Sequence, residues 1–324
     1  MRKISLIFGS ILLFLGAVAQ QEPTFTQYFV NDMVYNPAIS GSKSYKSFVL
    51  QTRQQWLGFE GAPLSTNISY HSAINNRSAM GGYFMFEKTS PSMQANLHLN
   101  YAYHVPLNYD KVNLSFGIGS KLMYYNLDFN QDDLPSGQDP AFSASPYDKF
   151  LADVESGIYL YGRNFYIGYS AINLLQSSFN GEAGGGFSQN PVIGSKSWIE
   201  KADQNNEFRN YYGMMGYRLS IINNDWQLEP SMLLRQEEEQ IRTFDLSGRI
   251  FYLENNWAGI TYRTNGTLAF VAGFLANNNM HIAYSYDQTL VGQIMQYNSG
   301  THELSISFRI PTLASQRHIG FWKY

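Results

Sequence analysis

Residues 94–104, QANLHLNYAYH, carry the clearest structural signal of this chain. Apolar and polar side chains alternate along it, so that Leu97 and Leu99 lie on one face of an extended chain and Asn96 and His98 on the other. A period of two residues is typical of a β-strand with one apolar and one polar face. The stretch therefore predicts a two-sided strand.

The same alternation recurs along most of the chain. It predicts fourteen strands, at residues 45–54, 64–72, 80–87, 94–104, 112–125, 152–161, 164–171, 209–221, 226–235, 242–253, 257–263, 268–276, 280–287 and 302–310. Several of them have the roughly 9–11 residues that a tilted strand needs to cross a bilayer. An even number of strands is typical of closed outer-membrane barrels.

A soluble sandwich also alternates, so the direction of the apolar face matters. The polar face carries charged residues in mid-strand, which a packed sandwich core could not hold unpaired. They are Lys121, Arg235, Arg249, Arg309, Glu229, Asp245, Asp287 and Glu303. We therefore expect an all-β, transmembrane antiparallel β-barrel of about 14 strands, of the outer-membrane type. The equal numbers of positive and negative charges predict mutual pairing in a filled lumen rather than a wide selective pore.

The ends of the chain and the connections suggest an orientation. A basic start, an apolar run over residues 4–15 and a small-residue site at residues 17–19 predict a signal peptide at residues 1–19. Short connections alternate with longer ones, as in barrels whose turns are periplasmic and whose loops are extracellular. We expect a periplasmic N-terminal segment at residues 20–44, a barrel at 45–310 and a periplasmic tail at 311–324.

The composition excludes several classes of protein. Charged residues make up 15% of the chain, against roughly 25% in a typical soluble domain. The aromatic content of 16% argues against disorder, and the absence of cysteine excludes a disulfide scaffold or a Cys-ligated metal site. A net charge of −3 gives no basic excess for nucleic-acid binding. No catalytic motif or cofactor signature is present, so we expect no enzyme activity and no cofactor.

Several motifs resemble the PorP/SprF family of type IX secretion system membrane proteins. They include FTQY at residues 25–28, NPAISG at 36–41, RQQWLGFEGAP at 53–63, GIY at 157–159, NFYIGYS at 164–170 and NL at 173–174. Others are WAGITYR at 257–263, YSYD at 284–287 and HEL at 302–304. The candidate residues for structure or partner contact are Asn36, Pro37, Gly41, Arg53, Gln54, Trp56, Gly58, Phe59, Gly61, Pro63, Trp257, Tyr286, Asp287, His302 and Glu303.

The resemblance implies a non-enzymatic outer-membrane barrel of Bacteroidota-type bacteria, surrounded by membrane lipids. Its partners would be periplasmic and outer-membrane type IX components, namely a peptidoglycan-binding lipoprotein and ring proteins, or a surface adhesin of gliding motility. It would act as an accessory or scaffold for export or surface attachment.

Two other functions stay open. One is a channel for small or apolar solutes. The other is a barrel hydrolase that uses His98 or His281, both of which we expect to face the lumen.

Two segments beside the strands carry further hypotheses. The aromatic-glycine loop at residues 56–63 could cover the mouth of the barrel as a lid or anchor it at the membrane interface. The aromatic and basic tail at residues 312–324 could dock into the barrel mouth or onto a periplasmic partner.

Overall fold

The computed structural model describes residues 24–107, 111–127, 147–177, 207–222, 225–238, 242–253, 255–291 and 299–311. The predicted signal peptide at residues 1–19 and the tail at 312–324 lie outside the described residues, as do the parts 128–146 and 178–206 of two long connections. Within the described ranges, no helix combines the length and the apolar character needed to cross a bilayer.

The described residues form fifteen strand segments. They are β1 (Lys46–Gln54), β2 (Leu64–Ala73), β3 (Ser78–Thr89), β4 (Ser92–Leu107), β5 (Val112–Leu127), β6 (Tyr147–Gly162), β7 (Phe165–Ile172), β8 (Asn210–Tyr217), β9 (Leu219–Ile222), β10 (Trp226–Glu237), β11 (Thr243–Tyr252), β12 (Asn256–Arg263), β13 (Thr267–Asn277), β14 (Met280–Thr289) and β15 (Thr301–Ile310). Two short 3₁₀ turns, Asp32–Val34 and Pro37–Ile39, precede β1.

The strands close into one antiparallel barrel. The first and last strands pair from Lys46 opposite Ile310 to Gln54 opposite His302, which joins the two edges of the sheet. Segments β8 and β9 both pair with β10 and are separated only by Arg218, so they form one interrupted strand in a wall of fourteen. The prediction of an outer-membrane-type barrel of about 14 strands is confirmed.

Alternation decides which side chains face outward. On β5, Phe116, Ile118 and Leu122 are about half exposed on the outer surface, whereas Ser115 and Lys121 are buried toward the lumen. An outer face of large apolar side chains suits lipid, and a polar inner face suits a lumen. The same alternation holds in neighbouring strands.

The barrel has two different rims. At the terminal rim, where β1 begins and β15 ends, consecutive strands are separated by short connections, namely residues 74–77, 108–111, 163–164, 223–225, 253–255 and 278–279. The opposite rim, here called the loop rim, carries the long connections 128–146, 173–209 and 290–300. All three long connections thus lie at one rim, as the sequence predicted, and that rim also has short connections at residues 90–91 and 264–266.

Residues 24–45, here called the plug, lie inside the barrel. Phe25, Tyr28, Met33, Ala38 and Ile39 are all at most 1% exposed. We expected the segment at residues 20–44 outside the barrel on the periplasmic side; the structure instead places its described part, from residue 24 onward, in the lumen. The physical reason is that these apolar side chains would be exposed to water in the periplasm, whereas the lumen buries them.

Candidate functional site

The best-defined polar site is the interface between the plug and the lumen wall. In its upper part, toward the loop rim, the Glu303 carboxylate accepts four hydrogen bonds. The donors are the backbone N–H groups of Thr26 (2.8 Å) and Gln27 (2.9 Å), the side-chain amide of Gln51 (2.8 Å) and the Arg53 guanidinium (2.9 Å). One wall carboxylate thus fixes the plug backbone and two wall side chains.

A second carboxylate completes this cluster. Arg53 also forms an ion pair with Asp287 at 2.8 Å, and the Thr26 hydroxyl donates to the same carboxylate at 2.5 Å. Arg53 and Arg263 in turn donate to the Thr26 hydroxyl oxygen, at 3.0 and 3.3 Å. The side chains of Arg53, Asp287 and Glu303 are at most 4% exposed. We call Thr26, Gln27, Gln51, Arg53, Asp287 and Glu303 the upper latch.

Further charged groups pair across the lumen wall. Asp245 bonds both Arg235 and Arg263, and Glu229 bonds both Arg218 and Arg249. Elsewhere in the wall, the Lys121 ammonium contacts Glu207 at 2.8 Å, whereas the Arg309 guanidinium donates to the Asn255 side chain at 3.4 Å. The predicted mutual pairing of lumenal charges is confirmed for seven of the eight residues named from the sequence; Arg309 has no ion pair among the described residues.

The middle of the plug is held by neutral hydrogen bonds and aromatic contacts. The Tyr28 hydroxyl lies 2.9 Å from that of Ser231, and the Asn31 amide donates to Asn67 at 2.8 Å. Phe29 packs edge-on against Trp257 at 5.3 Å between ring centroids and lies 3.5 Å below the Arg249 guanidinium. This places Trp257, one of the predicted residues, in direct contact with the plug.

In the lower part, glycines on the wall admit the plug backbone. The Asn36 side chain caps the second 3₁₀ turn by accepting from Ala38 N–H at 2.9 Å, and its amide donates to the Ile158 carbonyl at 2.9 Å. A Cβ on Gly117 would lie 2.2 Å from Ala38 N, and one on Gly157 would lie 2.2 Å from the Asn36 side-chain oxygen. We call Gly117, Gly157 and Gly168, which also faces Asn36, the glycine groove.

Gly41 ends this lower part with a left-handed backbone conformation. Its φ is +68°, which glycine adopts without strain, and an added Cβ would lie 2.3 Å from the Cβ of Ala79. Its N–H donates to His71 Nδ1 at 2.9 Å. The predicted residues Asn36, Pro37 and Gly41 therefore shape the lower plug.

Two titratable groups stabilise the plug internally. Burial raises the pKa of Tyr35 to about 12, while its hydroxyl accepts from Phe25 N–H at 3.1 Å and donates to the Phe25 carbonyl at 3.2 Å. Burial works to lower the pKa of Lys43, but the interactions with Asp32, whose carboxylate lies 2.9 Å away, and with Tyr45 together outweigh burial, so the pKa is raised. Both contacts favour the compact form of the plug.

Six predicted residues lie at the loop rim. Within this set, Trp56, Gly58 and Gly61 have positive φ angles, and the aromatic ring of Phe59 is half exposed. The loop is joined to the neighbouring connection because Leu57 N–H donates to the Gly300 carbonyl at 2.8 Å. The six are Gln54, Trp56, Gly58, Phe59, Gly61 and Pro63. The lid and anchor hypotheses stay predictions.

Two more predicted residues, Tyr286 and His302, lie on the outer face near the same rim. Their rings meet edge-on at 5.3 Å, and the hydroxyl of Tyr284 lies 2.6 Å from His302 Nδ1. An aromatic cluster at this height is typical of the girdle at a membrane interface. Tyr286 and His302, two of the fifteen predicted residues, therefore face the membrane interface and not the plug.

The two histidines considered for hydrolysis have different surroundings. His98 Nδ1 lies 3.1 Å from Glu155, and its ring stacks on Tyr83 at 4.0 Å. His281 lines a cavity of about 50 Å³ together with Arg249 and Trp257. In the described part of the chain, no group of three or more His, Asp or Glu side chains is arranged to hold a metal ion.

The sequence did not indicate that the plug enters the barrel, nor that Gly117 contacts it. Gly117 stands on the polar face of β5. The available signal was the row of small residues on the inward faces of β5, β6 and β7. Small residues on a lumenal face indicate close approach of another backbone.

The amino-acid sequence matches the profile of one protein family. A sequence profile described as "Type IX secretion system membrane protein PorP/SprF" matches residues 17–308. No curated protein matches the chain.

Solved outer-membrane proteins resemble the fold at low sequence identity. The toluene transporter TbuX of Ralstonia pickettii has a TM-score of 0.47 and 10% identity, covering 86% of this chain and 93% of its own. Omp33 of Acinetobacter baumannii has a TM-score of 0.41 and 6% identity, covering 83% and 100%. A Pseudomonas aeruginosa FadL homologue has a TM-score of 0.39 and 11% identity, covering 82% and 88%.

Proposed function

Because the chain belongs to the PorP/SprF family of type IX secretion system membrane proteins, we propose that it is a non-enzymatic, plugged scaffold barrel of that machinery. It would support export or surface attachment of secreted proteins through its rims, without conducting them through its lumen. Residues 1–19 would direct its export, and the barrel would need no cofactor and bind no nucleic acid.

The observation that carries this proposal is the filled lumen. The plug bonds to wall residues from the upper latch to the glycine groove, and the cavity beside Phe29 and Trp257 measures about 50 Å³. That volume holds only a few water molecules, since one water needs about 10–15 Å³. A barrel filled by its own chain is suited to present surfaces to partners, and it needs a structural change before it can pass a solute.

The proposed partners are of two kinds. At the periplasmic rim they would be a peptidoglycan-binding lipoprotein and ring proteins; at the cell surface, an adhesin of gliding motility. The exposed apolar side chains Leu57 and Phe59 at the loop rim, 45% and 50% exposed, offer a contact surface for an exported protein. Leu253 at the terminal rim, 51% exposed, offers another on the opposite side.

A gentle-detergent pull-down of the tagged full chain tests the proposal. We expect a periplasmic type IX component or a large surface protein to co-purify, and we expect a Phe59→Ser variant or a Leu253→Ser variant to lose whichever partner binds at its rim. Outward Phe270→Ser, in mid-wall, is the matched control for loss of apolar surface. Recovery of the folded barrel alone from native cells would contradict the scaffold proposal.

Planar-bilayer conductance separates the scaffold from the channel. We expect the intact protein to show no steady conductance, because the plug fills the lumen. Steady conductance by the intact protein, with the plug still protected, would favour a channel for small solutes instead.

A further inference from the structure

A cavity of about 50 Å³ lies in the lower lumen between the plug and the strands β1, β11, β12, β14 and β15. Three cationic side chains line it: Lys43 of the plug, Arg249 of β11 and Arg309 of β15. None of the described residues that line it is acidic. We call it the basic cavity, since its lining supplies positive charge and no counter-charge.

The acidic partners of two of these cations lie outside the lining. Lys43 pairs with Asp32 at 2.9 Å, whereas Glu229 is shared between Arg249 and Arg218. Three cations therefore share two carboxylates, even before the remaining arginine of the cavity is counted. The region beside the cavity has an excess of positive charge, which attracts anions.

Arg309 supplies unused hydrogen-bond donors at the terminal-rim end of the cavity. A guanidinium has five N–H donors, and in the described part of the chain this one bonds only the Asn255 side chain, at a long 3.4 Å. It also lies 5.5 Å from the centroid of the Tyr45 ring. Burial and the charge of Arg309 both work to lower the pKa of Lys43, against the pull of Asp32 and Tyr45. The lysine and the arginine are thus close enough to repel each other.

His281 adds a neutral donor from β14. Its ring lines the cavity, is 5% exposed, and has a buried Nε2 atom with no hydrogen-bond partner among the described residues. Either ring nitrogen of a neutral histidine can carry the proton that it donates. A buried polar atom without a partner is costly, and an acceptor in the cavity is a partner that the wall does not supply.

The size and the lining of the cavity limit the ligand. Because one water needs about 10–15 Å³, the volume suits a single compact oxyanion group and excludes a sugar or a nucleotide base. Phe29 and Trp257 form an apolar part of the lining, which strengthens electrostatic contacts by excluding water. The donors lie on the plug, on β14 and on β15, so they approach from several sides. A tetrahedral phosphate meets such donors better than a flat carboxylate does.

We propose that the basic cavity binds one phosphate group, held between Lys43 of the plug and Arg309 and His281 of the wall. The phosphate bridges two cations that otherwise repel each other, and it fastens the lower end of the plug to β15. Free phosphate and a phospholipid headgroup present the same oxygen atoms, so either can supply the group. The site is independent of the scaffold function and would hold equally for a channel.

Isothermal titration calorimetry of the full chain, purified in a maltoside detergent that contains no phosphate, tests the site. The titrants are inorganic phosphate, acetate and a short-chain phosphatidylglycerol, each at constant ionic strength. Arg309→Gln removes one cation, and Ala283→Val fills part of the cavity while every charged group stays in place. The matched controls are Arg163→Gln, exposed in a terminal-rim connection, and Ala258→Val on the outer face. Heat-modifiable migration checks the folding of each variant.

We expect inorganic phosphate to bind at one saturable site in the natural protein and in both controls. Arg309→Gln and Ala283→Val should each weaken binding by about tenfold or more, because a charge-assisted bond or the space for the ligand is lost. Acetate should also bind about tenfold more weakly or less. Binding of phosphatidylglycerol alone, with the same dependence on both variants, would support the site and identify the lipid as the source.

Three results would overturn the proposal. They are the absence of saturable binding by either phosphate source, binding that is unchanged in both folded variants, and binding of acetate as tight as that of phosphate. If Arg309→Gln does not fold, Ala283→Val decides the outcome.

Hydrogen exchange tests whether the phosphate fastens the plug. At a phosphate concentration about a hundredfold above its Kd, amide protection over residues 43–45 should rise by about tenfold or more in the natural protein and stay unchanged in Arg309→Gln. Saturated binding with no change in protection would contradict the bridge between plug and wall.

Discussion

The upper and lower parts of the plug are held in the same lumen by different kinds of interaction. In the upper latch, Glu303, Asp287 and Arg53 stabilise the plug through buried ion pairs and hydrogen bonds to its backbone. In the glycine groove, no charged side chain contacts the second 3₁₀ turn through a described bond, and the fit depends on the missing Cβ atoms of Gly117 and Gly157. The upper part can therefore be released by removing one charge, whereas the lower part is displaced only by adding volume.

The largest expected effect is that of Glu303→Ala. The substitution leaves Arg53 with one buried acidic partner and removes the acceptor of the Thr26 and Gln27 N–H groups. Because breaking a buried ion pair costs about 3–5 kcal/mol, the upper part of the plug should be strongly destabilised. Hydrogen exchange should show loss of amide protection over residues 25–31, with residues 36–42 less affected. Exposed Glu60→Ala is the control. Equal loss in both parts would show that the plug unfolds as one unit.

High pH should weaken the plug through Tyr35. Its pKa is raised from 10.0 to about 12, so the contribution of the neutral phenol is complete below pH 10 and is lost as the pH rises through 12. Two pKa units correspond to about 3 kcal/mol, since one unit is about 1.4 kcal/mol.

The measurement is the thermal stability of the detergent-solubilised barrel between pH 9 and pH 12. In Tyr35→Phe, the thermal stability should fall less between pH 10 and pH 12 than it does in the natural protein. At neutral pH the variant should be less stable, because the two hydrogen bonds to Phe25 are lost. An identical pH profile in the variant would contradict the assignment to Tyr35.

Gly117→Ala should have a smaller effect that is concentrated in the lower plug. The added Cβ would lie 2.2 Å from Ala38 N, and overpacking of this kind costs about 1–3 kcal/mol. Protection over residues 36–42 should fall while that of residues 25–31 is kept. Gly248→Ala is the matched control because its Cβ would meet no atom within 4 Å. The same loss in both variants would point to strand propensity rather than the groove.

The smallest expected effect is that of Tyr28→Phe, between the two parts. It removes hydroxyl contacts with Ser231 at 2.9 Å and Ser247 at 3.3 Å, worth about 1 kcal/mol together. Exchange should rise modestly around residue 28 and leave both ends of the plug unchanged. Tyr70→Phe on the outer face is the control, and a rise that extends to residues 36–42 would join the two parts into one cooperative unit.

Much of the wall was predictable from the sequence, and the plug was not. The predicted strand at residues 94–104 lies within β4, and the one at 302–310 matches β15 to one residue, because alternation is a local property. Arg53, Asp287 and Glu303 were named individually, but nothing in the sequence placed them around Thr26. The partners of Asp287 and Glu303 in the upper latch are at least 234 positions away in the chain, so only closure of the barrel brings them together.

The strands, their two faces and the even number of strands follow from the amino-acid sequence, because a period of two residues sorts side chains between lipid and lumen wherever the chain is extended. What fills the lumen depends on the closed barrel. The plug shows no period, and its apolar side chains are compatible with burial in any cavity of the right shape. That shape, with carboxylates near the loop rim and missing side chains toward the terminal rim, exists only after fourteen strands have closed around it.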